Sequence, residues 1–481
     1  MRILFAASEA LPFAKTGGLA DVLEGLPRSL AAMGHDVAVV LPLYRGIGTR
    51  RVAIPSLTIQ VGPRMHFPAI RESDPLRGVR YFFVDAAEFF DRHGIYGEFG
   101  GEFGDNPERF TLFSRAVIEV AKQSWRPDLI HCHDWQTALV PVLLRGQYGY
   151  DPAFARIPVV FTVHNMAYQG RYGRDVMWRT GLPSHLFHIN ALEFWGDVNF
   201  LKGGLLFADY LTTVSRRYAE EIQTPAYGFG LDAVVRSRAS RLTGILNGAD
   251  YTTWNPENDR WIAASYSAAD PANKAICKQD LLRELRLPAE NNARMVIGIV
   301  SRFVEQKGFD LIAHVARDLL DEDVVIVALG SGDHRYEAFF RMLADARKDR
   351  VAVRVGFDHV LAHKIEAGAD IFLMPSRYEP CGLSQMYSMR YGTIPVVRAT
   401  GGLDDTVEPF EPDTGRGTGF KFWDATGPAL LDTVRWALHC SRNPQAWGKL
   451  MQNAMAQNFS WDAAAEKYLE VYERSRILRS G

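Results

Sequence analysis

The chain has 481 residues, more than one hydrophobic core usually supports, so two domains are expected. Its hydrophobic fraction of 47% and charged fraction of 23% are those of a soluble globular protein, and a net charge of −2 gives no electrostatic basis for binding nucleic acid or an anionic membrane. We expect neither a signal peptide nor a membrane span, because the apolar run at residues 3–7 is short and no run of about 18 apolar residues follows. The four cysteines form no Cys-x-x-Cys pair, which favours free thiols and a cytoplasmic location.

In the first half of the chain, short apolar runs alternate with amphipathic stretches. The runs are rich in aliphatic and β-branched residues, as strands buried on both faces must be. Strands are predicted at residues 2–7, 37–41, 80–84, 128–132, 158–163, 211–214 and 242–246. Helices are predicted between them, for example at residues 22–33 and 110–122, and the stretch 94–106 is predicted to be a long loop. This alternation indicates βαβ units and a parallel sheet.

The second half repeats the pattern, with strands predicted at residues 295–300, 324–329, 351–355, 371–374 and 394–397. The sequence therefore predicts an α/β protein of two Rossmann-like domains facing a deep cleft, with ligands outside the carboxyl ends of the strands. The turn dipeptide Asn247-Gly248 suggests a boundary, giving domains 1–246 and 247–458. The remaining segment, 459–481, is predicted to be an amphipathic helix that packs on the first domain.

A Lys-Thr-Gly-Gly-Leu motif follows the first strand and begins a helix. The adjacent glycines, Gly17 and Gly18, let the backbone approach a bulky anion, and the helix start offers unpaired N–H groups. Lys15 adds a full positive charge. These features predict a phosphate cradle, against the alternative of a plain turn with a solvated lysine. The motif is neither Gly-x-Gly-x-x-Gly nor a Walker loop, which disfavours dinucleotide oxidoreductases and ATPases.

Two cations follow the first strand of the second domain. Arg302 and Lys307 lie in one strand-end loop, where together they would neutralise a leaving diphosphate, the role that a metal has in other enzymes. The alternative is ordinary surface charge, the usual fate of a single Arg or Lys.

A proline-bounded turn at residues 375–383 precedes a helix predicted to begin near Ser384. It holds Glu379 at a strand end, where a carboxylate can accept hydrogen bonds from sugar hydroxyls. The alternative is an acid that caps the helix. Cys381 is interpreted as a small buried apolar residue.

His164 directly follows another predicted strand. It is a candidate to bind a sugar hydroxyl or to place its carbonyl near the reacting carbon, although a strand-end histidine is often structural. His131, His133 and Asp134 end a neighbouring strand, but no further ligand group is evident for a metal, and none is expected there.

Taken together, the motifs resemble the glycogen and starch synthases of glycosyltransferase family 5. The resemblance spans nearly the whole chain, and the pairing of Lys-Thr-Gly-Gly-Leu with Glu-Pro-Cys-Gly-Leu is highly specific. It implies a glycosyltransferase-B fold and retaining transfer of glucose from ADP-glucose to the non-reducing end of an α-1,4-glucan. It also implies that neither a metal nor another cofactor takes part.

The resemblance also implies a role for each matched residue. Lys15 would contact the donor, with Gly17 and Gly18 presenting backbone N–H groups. Arg302 and Lys307 would bind the diphosphate, and His164 would lie over the anomeric carbon. Glu379 would hold glucose hydroxyls. The remaining matched positions would lie along the sugar (Cys381, Gly382 and Leu383), line the cleft (Tyr96, Asp134 and Asn247) or meet the distal phosphate (Thr400, Gly401 and Gly402).

Two positions depart from the family pattern. Phe357 stands where a tyrosine often stacks on adenine, and a phenyl ring keeps that stacking. Tyr387 stands where the wider superfamily has a second glutamate, which removes a carboxylate that holds the ribose elsewhere.

Other functions remain open at this point. One is a different glycosyltransferase-B enzyme, such as a maltosyl-phosphate-forming synthase; another is a non-catalytic sugar-binding protein. The retention fits attack on the same face of the sugar, because no carboxylate nucleophile for double displacement is evident. The sequence gives no prediction of oligomeric state.

Overall fold

The computed structural model describes residues 1–98 and 101–480. The chain divides into two compact units, one containing Met1–Gly248 and the C-terminal segment from Trp461, the other containing Ala249–Ser460. The first unit thus ends two residues after the predicted boundary at 246. Gly481, the last residue of the predicted C-terminal segment, lies outside the described residues, as do Phe99 and Gly100 of the predicted loop 94–106.

The first unit is built around a nine-stranded sheet. Its strands, with those of three small antiparallel sheets, are β1 (Arg2–Ala6), β2 (Asp36–Pro42), β3 (Arg51–Ile54), β4 (Ile59–Val61), β5 (Arg64–His66), β6 (Ala69–Glu72), β7 (Val79–Asp85), β8 (Gly97–Glu98), β9 (Gly101–Glu102), β10 (Leu129–His133), β11 (Val159–Val163), β12 (Arg171–Tyr172), β13 (Glu193–Phe194), β14 (Asp197–Asn199), β15 (Tyr210–Thr213) and β16 (Leu242–Gly244). Its helices are α1 (Leu19–Ala32), α2 (Ala87–Phe90), α3 (Asn106–Gln123), α4 (Leu139–Gly146), α5 (Val176–Thr180), α6 (Phe200–Phe207), α7 (Arg216–Glu221), α8 (Asp232–Ser237) and the C-terminal helix (Trp461–Ser480).

The large sheet has the order β16-β15-β11-β10-β1-β2-β7-β6-β3. All pairs from β16 to β7 are parallel, and the seven strands of this part are those predicted from the apolar runs. The last two strands at this end of the sheet, β6 and β3, pair antiparallel and were not predicted, because many of their residues are only partly buried or charged. The strand order reverses between β1 and β10, the point where α/β sheets bind ligands at their carboxyl edge.

The C-terminal helix packs against α1 within this unit. Gly25 of α1 makes the close approach possible, because a Cβ atom there would lie 2.1 Å from Nε1 of Trp461. Ala464, Tyr468 and Tyr472 of the predicted apolar face are all buried in the same core as β1 and β2.

The second unit has a six-stranded parallel sheet of order β19-β18-β17-β20-β21-β22. The strands are β17 (Met295–Val300), β18 (Val324–Gly330), β19 (Val351–Val355), β20 (Ile371–Met374), β21 (Ile394–Arg398) and β22 (Phe420–Phe422). The helices are α9 (Lys274–Glu284), α10 (Phe309–Asp321), α11 (His334–Ala346), α12 (His359–Gly368), α13 (Ser384–Arg390), α14 (Gly401–Thr406), α15 (Gly427–Ser441) and α16 (Pro444–Met455). This is the Rossmann order, and it reverses between β17 and β20.

Within the described part of the chain, no helix is long and apolar enough to cross a membrane. The four cysteines are buried, and none of them forms a disulfide bond within the described residues. Cys381 is among them, in agreement with its interpretation as a buried apolar residue.

Candidate active site

The glycine loop after β1 is held by a carboxylate that the sequence analysis did not select. Glu9 is only 3% exposed, and its Oε2 accepts hydrogen bonds from the backbone N–H groups of Thr16 (2.5 Å) and Gly17 (3.1 Å). Its Oε1 accepts from the Thr16 hydroxyl (2.7 Å) and from the Tyr96 hydroxyl (2.5 Å). The Gly17 N–H, predicted to be presented to a ligand, is therefore already used by Glu9. Tyr96, predicted to line the cleft, is held at this loop by Glu9, which lies 87 residues away in the sequence.

Lys15 is half-exposed and forms an ion pair with Asp21 of α1 at 2.7 Å. Burial raises the pKa of Asp21, and the nearby Lys15 ammonium opposes that shift. Because both residues belong to the same motif, the lysine is positioned locally, at the start of the helix that Gly18 precedes.

Three histidines stack near the carboxyl ends of β10 and β11, where His131 and His133 are fully buried and His164 is partly buried. The His133 ring lies 4.2 Å from His131 and 5.2 Å from His164, centroid to centroid. Nδ1 of His133 is 2.9 Å from Nε2 of His164, and His131 bonds to Tyr472 of the C-terminal helix at 2.8 Å. Burial lowers the pKa of His164 to about 3 and those of the other two well below the usual range, so the imidazoles are neutral at pH 7.

Asp134 fixes the backbone that carries His164. Its Oδ1 accepts the His164 backbone N–H at 2.7 Å, and its own backbone has φ of 56°, a strained value for a residue with a side chain. Burial raises the pKa of Asp134 to about 7.

This raised pKa leads to a pH-dependent prediction. A carboxyl whose pKa is higher in the folded state than in the unfolded chain favours folding at low pH and loses that contribution as pH rises towards the folded-state pKa. We expect Asp134→Asn, which removes the ionisation and keeps an acceptor oxygen, to become progressively more stable than the unmodified protein between pH 4 and pH 7, by at most about 1.4 kcal/mol per pH unit. Thermal unfolding from pH 4 to pH 9 measures this. A constant difference in melting temperature across that range would contradict the prediction.

Asn247 lies three residues beyond β16 and is 6% exposed. Its side-chain Oδ1 is buried and has no hydrogen-bond partner among the residues that the structure describes. A buried acceptor without a partner is uncommon, and it is one of the features expected of a ligand contact.

A cavity of about 350 Å³ opens in the first unit beside Trp135, the residue after Asp134. Its other walls combine aromatic rings with polar groups and include Tyr168, Phe194, Phe229, Gln169 and Arg171. Gly170 allows this packing, because a Cβ atom there would lie 2.5 Å from the Trp135 ring. The sequence analysis selected none of these residues.

In the second unit, the predicted diphosphate and sugar residues are joined directly. Lys307 Nζ lies 2.5 Å from Glu379 Oε2, in a pair whose side chains are 17% and 7% exposed. Ser376 Oγ donates to the same Oε2 at 3.0 Å. Lys307 follows β17 and Glu379 follows β20, so the pair spans the point where the strand order reverses. Arg302, also after β17, is exposed, and no ion pair to it occurs within the described residues.

The Glu379 turn packs closely on the loop after β21. The Gly402 N–H donates to the Glu379 carbonyl at 3.0 Å. Side chains are excluded from this contact, because a Cβ atom on Gly401 would lie 2.0 Å from the Glu379 carbonyl oxygen and one on Gly402 would lie 2.0 Å from that of Cys381. Thr400 is fully buried at the start of α14. Gly382 has φ of 72°, which lets the chain turn into α13 at Leu383.

Phe357 lies two residues beyond β19 and is 92% exposed. An aromatic ring that is this exposed is available to stack on the ring of a ligand. Tyr387, the second departure from the family pattern, is instead buried and stacks on Trp254 at 4.6 Å.

No group of three or more His, Cys, Asp and Glu side chains is arranged to hold a metal ion in residues 1–98 and 101–480. Three groups that support the candidate site were missed by sequence reasoning: Glu9, Asp21 and Ser376. Glu9 carried a signal, since an acid directly after a buried strand lies at the ligand edge of the sheet.

Comparison with known proteins shows the family to which the chain belongs. Residues 2–237 match the family described as "Starch synthase catalytic domain", and residues 285–454 match "Glycosyl transferases group 1". A glycogen synthase of Koribacter versatilis is 54% identical over 100% of this chain and 99% of its own length.

A solved structure supports the same family, and a second one shares the fold. The catalytic domain of starch synthase IV from Arabidopsis thaliana, bound to ADP and acarbose, has a TM-score of 0.90 and 34% identity and covers 99% of both chains. A sucrose-phosphate synthase from Thermosynechococcus elongatus, with a TM-score of 0.60, 18% identity and 98% coverage of both chains, shares the fold alone. The predicted glycosyltransferase-B fold is thus confirmed, and the chain belongs to the glycogen and starch synthase family of glycosyltransferases.

Proposed function

We propose that this enzyme is a glycogen synthase, which transfers glucose from ADP-glucose to the non-reducing end of an α-1,4-glucan with retention of the α configuration. The observation that carries the proposal is the Lys307–Glu379 pair at the strand-order reversal of the second unit. It brings together a cation suited to a diphosphate and an anion suited to sugar hydroxyls.

In this proposal the second unit binds the donor, ADP-glucose. Arg302 and Lys307 neutralise the charge that develops on the leaving ADP, so no metal is required in this proposal. Glu379 holds the glucose hydroxyls through Oε1, since the ion pair and the hydrogen bonds from described residues go to Oε2. Phe357 stacks on the adenine.

The backbone of the second unit completes the donor assignment. The Cys381–Leu383 segment lies along the sugar in this proposal. In this proposal the loop Thr400–Gly402, which packs directly on the Glu379 turn, meets the distal phosphate.

In this proposal the first unit contacts the reacting carbon of the donor glucose and binds the acceptor glucan. His164 lies over the anomeric carbon, Asn247 supplies its unpartnered Oδ1, and Lys15 contacts the donor. Tyr96 and Asp134 line the ligand site of the first unit in this proposal. The aromatic cavity beside Trp135 receives the glucan, because aromatic faces pack on sugar rings while polar groups bind the hydroxyls.

The same proposal includes a cytoplasmic location. The four buried cysteines, which form no disulfide bond within the described residues, support it, because thiols persist in a reducing compartment.

The test is transfer of radiolabelled glucose to glycogen from ADP-glucose and, in parallel, from UDP-glucose. We expect a kcat/KM at least tenfold higher for ADP-glucose. We also expect Phe357→Ala to weaken ADP binding by about tenfold, the usual value of one aromatic stacking contact. Trp436→Ala, at another exposed ring of the second unit, is the control and should leave ADP affinity unchanged. Equal use of both donors would contradict the donor assignment, and absence of transfer from either would contradict the function.

A further inference from the structure

An exposed tryptophan occupies a strained turn next to the acceptor cavity. Strands β13 and β14 pair with Phe194 opposite Asp197, which leaves Trp195 and Gly196 as a two-residue hairpin loop. Their φ angles are 54° and 86°, so the turn is of type I′, in which Asn or Gly is preferred at both positions. Trp195 is nevertheless 81% exposed, so burial of its ring does not compensate for the strain.

A second aromatic residue repeats this combination at the same cavity. Phe229 lines the cavity, is 39% exposed, and has φ of 49°. Five non-glycine residues within 1–98 and 101–480 have positive φ, and Trp195 and Phe229 are the two aromatic ones. Strain of this kind tends to collect at functional sites, and exposed aromatic groups mark binding surfaces.

The two rings are connected to the cavity by direct contacts. The Trp195 ring lies 6.4 Å from that of Phe194, which lines the cavity. The guanidinium of Arg171, in the neighbouring strand β12, lies 5.3 Å over Phe194 and pairs with Asp197 of the hairpin at 2.7 Å, which fixes the turn relative to the cavity wall. Gln169 donates to the Phe229 carbonyl at 3.1 Å and holds the other side.

We propose that Trp195 and Phe229 form an aromatic rim that binds glucose units of the acceptor beyond those held in the cavity. The inference rests on the proposed function, because it takes the cavity as the acceptor site. A cavity of about 350 Å³ is small for a ligand site, so a longer chain must continue outside it. The rim therefore makes acceptor affinity depend on chain length.

The test replaces Trp195 by asparagine, the residue that the turn prefers, so that the hairpin keeps its geometry. We expect an unchanged or higher melting temperature. We also expect KM for glycogen and maltoheptaose to rise about tenfold relative to KM for maltotriose, with Trp195→Phe retaining most of the preference for long chains. Trp178→Gln, at another exposed tryptophan of the first unit, is the matched control and should leave the ratio unchanged.

Electrophoresis in glycogen-containing gels without donor measures binding separately from catalysis. The rim predicts that Trp195→Asn migrates faster than the unmodified protein in glycogen and equally in its absence. Equal retardation of both proteins, or an equal KM increase for maltotriose and glycogen, would overturn the rim. If the unmodified protein transferred no glucose but was retarded by glycogen through Trp195, the proposed function would fail and the rim would stand.

Discussion

Replacing Lys307 or Arg302 by alanine is expected to lower kcat by about a hundredfold or more. A preorganised charge that meets developing negative charge typically contributes about 3 kcal/mol to the transition state. Lys307 is held for this role, since its ammonium is mostly buried and paired with Glu379 at 2.5 Å, and Arg302 is available in the same strand-end loop. Steady-state kinetics with ADP-glucose and glycogen measure the effect. The two losses should not add fully in the double variant, because both cations act on one diphosphate.

Arg335→Ala is the matched control for this experiment. Arg335 pairs with Glu305, which lies in the same strand-end loop, but both side chains are more than half exposed. Exposed ion pairs contribute little, so activity should stay within about twofold. Activity of the unmodified enzyme should also persist in excess EDTA. Complete loss on chelation with recovery in magnesium, or normal kcat in both alanine variants, would refute the assignment of the diphosphate to these cations.

Replacing Glu379 by glutamine is expected to lower kcat by about a hundredfold while leaving ADP affinity within a few-fold. Glutamine keeps the shape but loses the charge that aligns the glucose ring, and ADP carries no glucose. The substitution also lowers stability for a reason that the helix-capping interpretation does not include, because Lys307 loses its ion-pair partner. Because Lys307 is 17% exposed and can reach solvent, we expect a loss of about 1 to 2 kcal/mol in stability, less than for a fully buried pair.

A double-mutant cycle separates the two effects. In a Lys307→Met background, Glu379→Gln should cost less stability than in the unmodified protein, whereas its effect on kcat should remain large. Glu305→Gln, an exposed carboxylate of the second unit, serves as the control and should alter neither quantity. If Glu379→Gln kept a normal kcat and only lowered the melting temperature, Glu379 would be structural, and the sugar assignment of its turn would be withdrawn.

All the parallel strands except β22 could be predicted, because most of them are apolar runs buried on both faces. Strand β22 was missed because it has only three residues and includes Lys421. Predicted and observed bounds coincide for β17, β19 and β20. The antiparallel strands β3 and β6 could not be found in the same way, because both are only partly buried and their side chains include Arg51 and Glu72, which pair with each other. Such short, charged segments form strands only through their neighbours.

The candidate site, too, was only partly predictable from the sequence. Strand ends indicated where His164, Asp134, Arg302 and Glu379 would lie, since parallel strands place all their carboxyl ends at one edge. The sequence did not indicate which side chains contact each other across that edge. Glu9, which the sequence analysis did not select, accepts the N–H of Gly17 that the sequence analysis had assigned to a ligand.

The sequence by itself determined the fold class, the family and the loops that carry the chemistry, because these depend on local patterns: buried runs, glycine pairs and prolines at strand ends. Only the tertiary structure decided which charges meet. Lys307 and Glu379 are 72 residues apart, and Tyr96 and Glu9 are 87 apart, so their contacts follow from strand order and not from spacing. The aromatic rim has the same origin, since Phe194, which contacts Trp195, and Phe229 line one cavity although they belong to different segments of the chain.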